Sequence, residues 1–271
     1  QSKVEEVLSN DGHYVLFYAH SLSPPQRENA IEDIINSIKD FDVSVSNDQI
    51  HILTNDQIAR WTNEYFAPIA FVLDSINKPR TLGEFQSWEE WKRYRDFDVD
   101  YVSDDELNSW IRNLSDLLSE PQSCARITGP PDIGKTRLAF EVFNSSEELS
   151  AETLRSLVAY VDLERLTSPS QVIKLVQTIV KQDLEGILVV DNCSLSIHEN
   201  ILEEVMKENS MLSLLTIDLL GKDNDPQVRN IQLEARGLEL IQGILEQKFG
   251  SLSDTELTHI ARLTEGYPGM A

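Results

Sequence analysis

Residues 129–136 read GPPDIGKT and match the pattern G-x-x-x-x-G-K-[ST]. Gly129 and Gly134 permit a tight turn whose backbone N–H groups point inward, an arrangement that suits phosphate oxygens. Lys135 carries a positive charge that would neutralise β- and γ-phosphates, and the hydroxyl of Thr136 is a ligand for Mg²⁺. The chemistry indicated is the binding of ATP with Mg²⁺.

The other residues of this phosphate-binding loop, and the residue after it, are further candidate contacts of the nucleotide. They are Pro130, Pro131, Asp132, Ile133 and Arg137. Asp132 stands where many such loops have a third glycine. A carboxylate near phosphates weakens binding or turnover unless it faces solvent or a cation, and the sequence leaves these alternatives open.

A second acidic position closes the apolar segment 187–191 (ILVVD). After a phosphate-binding loop, such a strand places its final acid, Asp191, beside Thr136 to hold the Mg²⁺ shell. Asn192 follows, and an amide is a poor general base, so either hydrolysis is slow or the base comes from elsewhere. Lys135, Asp191 and Asn192 are the candidate catalytic residues.

A parallel sheet must position these residues, and the pattern after residue 120 predicts one. Apolar strands are predicted at 125–128, 158–163, 186–191 and 212–217, with helices from Lys135, from Ser168-Pro169 and at 199–208. This alternation is typical of a parallel sheet covered by helices on both faces. Two further helices are predicted, at 237–249 and after a capping box that begins at Ser253.

The N-terminal part of the chain also predicts α/β structure. A buried strand is expected at 14–19 (YVLFYA) and a second strand at 50–53, with helices beginning near residues 24 and 56 and an apolar segment at 67–73. Residues 77–80 (NKPR) mark a boundary, and an irregular connector that contains Trp88, Trp91 and Tyr94 follows. A capping box at 103–106 (SDDE) is expected to open a helix that runs to residue 118.

Composition limits the partners that this chain can have. The net charge of its 271 residues is −23, which counts against broad electrostatic binding of nucleic acid. No apolar run has the length of a membrane span, and no export signal is present. Cys124 and Cys193 are predicted at opposite edges of the sheet, too far apart for a disulfide, and a cytoplasmic location is expected.

Three segments together resemble the STAND class of signalling NTPases. They are the loop with RLA at 137–139, VVDNC at 189–193 and the closing LTEGYPGMA at 263–271. In that class a Gly-x-Pro segment of a helical lid contacts the nucleotide, so the resemblance implies this role for Pro268. By itself, residues 266–268 (GYP) fit a helix stop equally well.

The sequence departs from that class at two places. A hydrophobic-Gly-Arg turn contacts adenine in the class, whereas residues 101–104 read YVSD here, so the resemblance leaves Val102 as the adenine-contact candidate. The class also has a sensor arginine after its fourth strand, where residues 216–218 read TID. The way in which the γ-phosphate is sensed is therefore left open.

Residues 14–26 (YVLFYAHSLSPPQ) and 50–61 (IHILTNDQIARW) resemble bacterial antiviral STAND proteins, the Avs family, that carry an Mrr-like PD-(D/E)xK nuclease effector. The resemblance implies four parts: the end of the effector at 1–76, a connector at 77–120, the NTPase core at 121–235 and the start of a helical lid at 236–271. Gln1 and Lys3 match the nuclease QxK as a bare pattern, but a helix ahead of Tyr14 is the preferred interpretation.

The function expected is that of an ATP-binding, slowly hydrolysing switch. The resemblance further implies a phage protein as trigger, sensed by a domain outside this chain, and homo-oligomerisation that activates the effector. DNA would be contacted only through that effector. The alternatives are a DNA-dependent ATPase of restriction type and a nucleotide-binding scaffold without turnover. The chain starts at Gln1 without Met and ends within a helical pattern, as an excerpt of a longer polypeptide would.

Overall fold

The computed structural model describes residues 7–8, 10, 12–39, 45–62, 65, 85–94, 97, 99–144, 149–166, 168–221 and 225–271. The chain divides into two compact units, Gln1–Glu64 and Tyr65–Ala271. The predictions made for residues 1–3, 67–73 and 77–80 lie outside the described residues.

The first unit contains a pair of parallel strands with helices. Its elements are β1 (Tyr14–Tyr18), α1 (Pro24–Lys39), β2 (Ile50–Thr54) and α2 (Asn55–Thr62). This order of strand and helix confirms the predicted α/β pattern. Ile35 and Ile50 pack in a small buried cluster, but Val15 and Phe17 of β1 are 44% and 65% exposed. The prediction that β1 is buried was wrong, because an apolar run does not reveal how many layers cover a strand.

The second unit is built on a six-stranded sheet with the order β3-β5-β6-β7-β4-β8. Its strands are β3 (Gln86–Ser87), β4 (Cys124–Thr128), β5 (Val158–Asp162), β6 (Gly186–Asp191), β7 (Leu212–Asp218) and β8 (Val228–Gln232). All neighbours pair in parallel except β3, which is antiparallel to β5. The predicted parallel sheet is confirmed.

Helices cover both faces of this sheet. They are α3 (Trp88–Tyr94), α4 (Asp105–Leu118), α5 (Lys135–Asn144), α6 (Leu149–Leu157), α7 (Ser170–Lys181), α8 (Leu195–Val205), α9 (Leu238–Lys248) and α10 (Asp254–Leu263). Alternate side chains of β6 enter opposite cores: Ile187 and Val189 pack with α4 and α5, whereas Leu188 and Val190 pack with α7 and α8. Helices α9 and α10 extend the first core and form the predicted small helical lid.

Part of the segment predicted to be an irregular connector has regular structure. Residues 86–94 form β3 and α3, and Trp88 and Trp91 are buried in the core of the second unit. The ring of Trp91 stacks on that of Tyr160 with 4.4 Å between centroids. A seven-residue helix is too short to show a clear period, so tertiary packing decides its structure.

Several other local predictions need correction. The cap of α4 is Asp104, whose Oδ1 accepts from Leu107 N–H at 2.8 Å, so the predicted capping residue Ser103 is one position early. Helix α8 begins at Leu195 rather than at residue 199, and α7 begins one residue after Pro169. Helix α6 and the edge strand β8 were not predicted, since β8 buries only Val228 and Ile231.

The two cysteines are free and buried. Burial raises the pKa of the Cys193 thiol to about 12, so this thiol stays protonated at neutral pH. In the part of the chain that the structure describes, no helix is both long and apolar enough to cross a bilayer.

Candidate functional site

The phosphate-binding loop lies where β4 ends and α5 begins, at the carboxyl edge of the sheet. A Cβ on Gly129 would lie 2.7 Å from the carbonyl oxygen of Leu233, so no larger residue fits there. Gly134 has φ +94°, a conformation that side chains disfavour, with open space in front of it. The backbone at both positions therefore favours glycine, as a phosphate cradle requires, and the N-terminus of α5 adds its positive end.

Lys135 is folded back onto its own loop. Its Nζ donates to the carbonyl oxygen of Pro130 at 2.7 Å. Burial lowers the pKa of Lys135, while the negative charges of Asp191, Asp218 and Asp132 act in the opposite direction. The charges of three carboxylates thus act on the ammonium group of Lys135, in the loop that would hold phosphate.

Thr136 and Asp191 meet as predicted from their spacing. The hydroxyl of Thr136 donates to Asp191 Oδ2 at 2.8 Å, and the buried hydroxyl of Tyr160 donates to the same oxygen at 2.9 Å. Tyr160 had no signal in the sequence, because its role depends on β5 lying beside β6.

The Thr136 and Asp191 oxygens fit a Mg²⁺ ion that takes its other ligands from phosphates and water. Within the described ranges, no cluster of three or more His, Cys, Asp or Glu side chains is placed to hold a metal ion without such help. Mg²⁺, when bound, neutralises charge on the phosphate oxygens. The chain's own part is to orient a hydroxyl and a carboxylate toward it.

Asn192 is held by a neighbouring strand. Its side-chain N–H donates to Asp162 Oδ1 at 2.7 Å, and its φ of +54° is one that Asn tolerates better than most residues. Asp162 is a residue that the sequence did not single out. The NH2 group of Asn192 is thus engaged with a carboxylate, and its amide oxygen is too weak a base to take a proton from an attacking water.

A cavity of about 310 Å³ lies between the end of the sheet and the lid. Five of the predicted nucleotide contacts line it: Val102, Ile133, Gly134, Arg137 and Pro268. Apolar side chains supply most of the remaining wall, among them Leu240 and Ile244. Its volume and lining are those of a small-molecule site, and it is large enough for the base of a nucleotide.

Arg137 is fixed at the wall of this cavity. Its Nε donates to Glu141 Oε1 at 2.8 Å, and its Nη1 donates to the Val99 carbonyl at 3.2 Å. The guanidinium lies 3.9 Å from the ring centroid of Phe97. These contacts tie the helix after the loop to the segment that precedes α4.

Two polar residues of the cavity wall, Arg236 and Tyr101, were not among the predicted site residues. The Arg236 side chain is only 5% exposed, and its Nη1 donates to Glu106 Oε2 at 2.9 Å. Arg236 Nη2 and Tyr101 Oη are buried without a hydrogen-bond partner among the described residues. Burial raises the pKa of Tyr101, so its phenol is neutral. Polar groups of this kind beside an apolar cavity fit a ligand with polar edges.

The lid contacts the phosphate-binding loop directly. The N–H of Gly269 donates to the carbonyl oxygen of Asp132 at 2.8 Å, one residue after Pro268. Asp132 has φ +58°, and its side chain is exposed, as is that of Pro131. The carboxyl group of Asp132 therefore faces solvent, which is one of the alternatives left open by the sequence. Its negative charge still acts on Lys135.

No protein-family model and no curated protein sequence matches this chain. Among solved structures, the STAND protein with a tetratricopeptide repeat sensor from Pyrococcus horikoshii is 16% identical, with a TM-score of 0.43 over 64% of this chain and 29% of its own. The Aeropyrum pernix ORC1 protein in complex with DNA is 17% identical, with a TM-score of 0.48 over 69% of this chain and 61% of its own.

The ORC2 protein of Aeropyrum pernix is 18% identical, with a TM-score of 0.41 over 60% of this chain and 59% of its own. The present chain therefore spans less than two thirds of each of these three structures. Similarities at this level say nothing about the substrate or the partners of this chain.

Proposed function

We propose that this chain binds ATP with Mg²⁺ and is the nucleotide switch of a signalling ATPase. The observation that carries the proposal is the 2.8 Å hydrogen bond from Thr136 to Asp191 Oδ2. It joins the end of the glycine-dependent loop to the acid that closes β6. These are the two side chains that a nucleotide-bound Mg²⁺ needs in such a site.

The lid supports a switching role. The N–H of its Gly269 donates to the loop, and the backbone N–H of Arg236, the first residue of the lid, donates to the Gly266 carbonyl near its other end at 2.8 Å. A nucleotide in the cavity would therefore touch the sheet and the lid at once. A ligand with different contacts in two lid positions shifts the population between them, as a switch requires.

We infer slow turnover from the residue after Asp191. An amide stands at this position, and it is occupied by its bond to Asp162. Positioned general bases contribute about 10²- to 10⁴-fold to proton transfer, so a site without one at this place hydrolyses slowly.

The finer assignment is to the antiviral branch of the STAND class. It divides the chain into the end of a nuclease effector (1–76), a connector (77–120), the NTPase core (121–235) and the start of the lid (236–271). A phage protein would be the trigger, and homo-oligomerisation would activate the effector, through which alone DNA is contacted. The support for the antiviral branch is the resemblance of residues 14–26 and 50–61 to such proteins, and the support for the STAND class is the resemblance of the motifs at 137–139, 189–193 and 263–271.

The direct test is Lys135→Ala with ATP binding measured by calorimetry. Removal of the ammonium group that faces the phosphates is expected to abolish binding. Lys174→Ala is the matched control, because Lys174 is an exposed lysine of α7. Unchanged affinity in Lys135→Ala would refute the assignment of the loop.

A nucleotide-binding scaffold without turnover is the second candidate, and the engaged amide of Asn192 favours it. ATP hydrolysis by the full chain distinguishes the two functions: slow turnover supports the switch, and none supports the scaffold. Turnover that DNA stimulates would instead support a restriction-type ATPase, against which the net charge of −23 counts.

A further inference from the structure

Arg126 is an arginine of β4 with no exposed surface, and its guanidinium is fully hydrogen-bonded. Its acceptors are Gly221 O at 2.7 Å, Cys193 O at 3.0 Å, Thr216 Oγ1 at 3.1 Å, Asp218 Oδ2 at 3.1 Å and Leu220 O at 3.3 Å. A guanidinium has five N–H donors, so each donor of Arg126 has one acceptor. An ion held in this way is fixed in position.

Two of the acceptors, Thr216 and Asp218, lie in β7 itself, and the other three come from the segments that follow β6 and β7. Cys193 follows the strand that ends at Asp191, and Leu220 and Gly221 follow the strand that ends at Asp218. Arg126 thus attaches β4, the strand of the phosphate-binding loop, to the carboxyl end of its neighbour β7 and to the segment after β6, the strand beyond β7. Its position is decided by strand order and not by any local motif.

Asp218 lies close to the phosphate-binding loop. It is the register partner of Thr128, the residue before the loop, and the N–H of Gly129 donates to the Leu219 carbonyl at 3.2 Å. The negative charge of Asp218 acts on Lys135, the lysine expected to hold the β- and γ-phosphates. Without a counter-ion, this carboxylate would repel the end of the phosphate chain.

We propose that Arg126 is a positioning residue for the terminal phosphate of ATP: it holds Asp218 in place and offsets its charge beside the phosphate-binding loop. This inference rests on the proposed ATP site. It predicts that loss of Arg126 weakens the binding of ATP more than that of ADP, because ATP carries an additional negative charge that an unpaired Asp218 would repel. A purely structural role would affect both nucleotides alike.

The test compares the ATP and ADP affinities of the full chain by calorimetry. Arg126→Met is expected to weaken ATP binding about tenfold more than ADP binding. The double variant Arg126→Met with Asp218→Asn is expected to return the ratio of ATP affinity to ADP affinity to its wild-type value. Arg229→Met is the matched control, because Arg229 is an exposed arginine of the neighbouring strand β8. This variant is expected to leave the ratio of the two affinities unchanged.

A folded Arg126→Met protein with an unchanged ratio would overturn the inference, as would a double variant that does not restore it. Removal of one partner of a buried ion pair is destabilising, so Arg126→Met can fail to fold. In that case Asp218→Asn alone provides the test. The loss of the carboxylate charge should raise the ratio of ATP affinity to ADP affinity, and an unchanged ratio contradicts the inference. A wild-type chain that binds neither nucleotide would instead refute the proposed function.

Discussion

The backbone N–H of Gly269 donates a 2.8 Å hydrogen bond to the carbonyl oxygen of Asp132, which joins the lid to the phosphate-binding loop. The backbone segments at Gly269 and Asp132 approach very closely. A Cβ on Gly269 would lie 2.8 Å from Asp132 Cβ and 3.0 Å from the Asp132 carbonyl oxygen. Asp132 therefore has a structural role through its backbone, independent of its side chain. This contact is the basis for predicting how substitutions of Gly269 and Asp132 affect nucleotide binding and release.

Gly269→Ala should push the lid away from the loop. Overpacking of this kind costs about 1–3 kcal/mol, which would speed nucleotide release by roughly tenfold. Release of a fluorescent ADP analogue in stopped flow measures the rate. Met270→Ala is the control, because that side chain is 61% exposed. An unchanged release rate for Gly269→Ala would show that the contact does not retain nucleotide.

Asp132→Asn separates the charge of this residue from its backbone conformation. Asn tolerates a φ near +58° as Asp does, so stability should change little. Loss of a negative charge that acts on Lys135 should tighten ATP binding by about twofold to tenfold.

Asp183→Asn is the matched control for this substitution. Asp183 is exposed, has a φ of +50° and precedes the amino end of β6, away from the loop. Calorimetry of both variants measures the effect, and equal affinities would show that the Asp132 carboxylate does not influence the nucleotide.

Asp191→Asn should remove most of the Mg²⁺ dependence of ATP binding. The amide can still accept from Thr136 and Tyr160 but is a poor ligand for a hard cation. The gain in affinity on adding Mg²⁺ should fall by roughly tenfold, measured against the same titration in EDTA. Asp116→Asn, on the exposed side of α4, should retain the full gain. Full Mg²⁺ dependence in Asp191→Asn would place the ion elsewhere.

ATP affinity should decline at alkaline pH. Burial lowers the pKa of Lys135, and only its protonated form attracts phosphate. Affinity is therefore complete below that lowered pKa and is lost as the pH rises through it, starting below the ordinary lysine value of about 10.4. Lys135→Arg should abolish this dependence, since a guanidinium stays charged. A wild-type profile that is flat to the ordinary lysine pKa would contradict the prediction.

The aromatic core beside the site should tolerate Trp91→Phe far better than Trp91→Ala. The alanine variant should lose about 3–5 kcal/mol of unfolding free energy because it leaves a cavity against Tyr160. Phenylalanine retains the stacking and removes an indole N–H that is buried without a partner among the described residues, so its cost should stay near 1 kcal/mol. Urea titration measures both, with the exposed Tyr94→Ala as control. Equal losses would mean that the stacking contributes nothing.

Much of the fold and of the candidate site follows from short patterns. The glycines at 129 and 134 encode their backbone geometry locally, and Lys135 and Thr136 follow them in the order of the pattern G-x-x-x-x-G-K-[ST]. Four apolar runs separated by helical patterns predicted a parallel sheet. The spacing of one strand and one helix placed Asp191 beside Thr136, which lie in contact in the structure.

Other relationships depend on which strands become neighbours. Asn192 meets Asp162 because β5 and β6 pair with Asp162 opposite Asp191. Arg126 meets Asp218 because β4 lies beside β7, although the two residues are far apart in the chain. Neither pairing leaves a trace in local periodicity, and the same is true for the burial of Trp91 in a segment predicted to be irregular.

The sequence by itself determined the chemistry of the loop and the alternation of strands and helices, because backbone conformation and hydrophobic period are local properties. Tertiary structure decided strand order, the contact of Gly269 with Asp132 and the charge balance around Lys135. These depend on distances between residues that are remote in sequence, and such distances arise only when the sheet and the lid pack together.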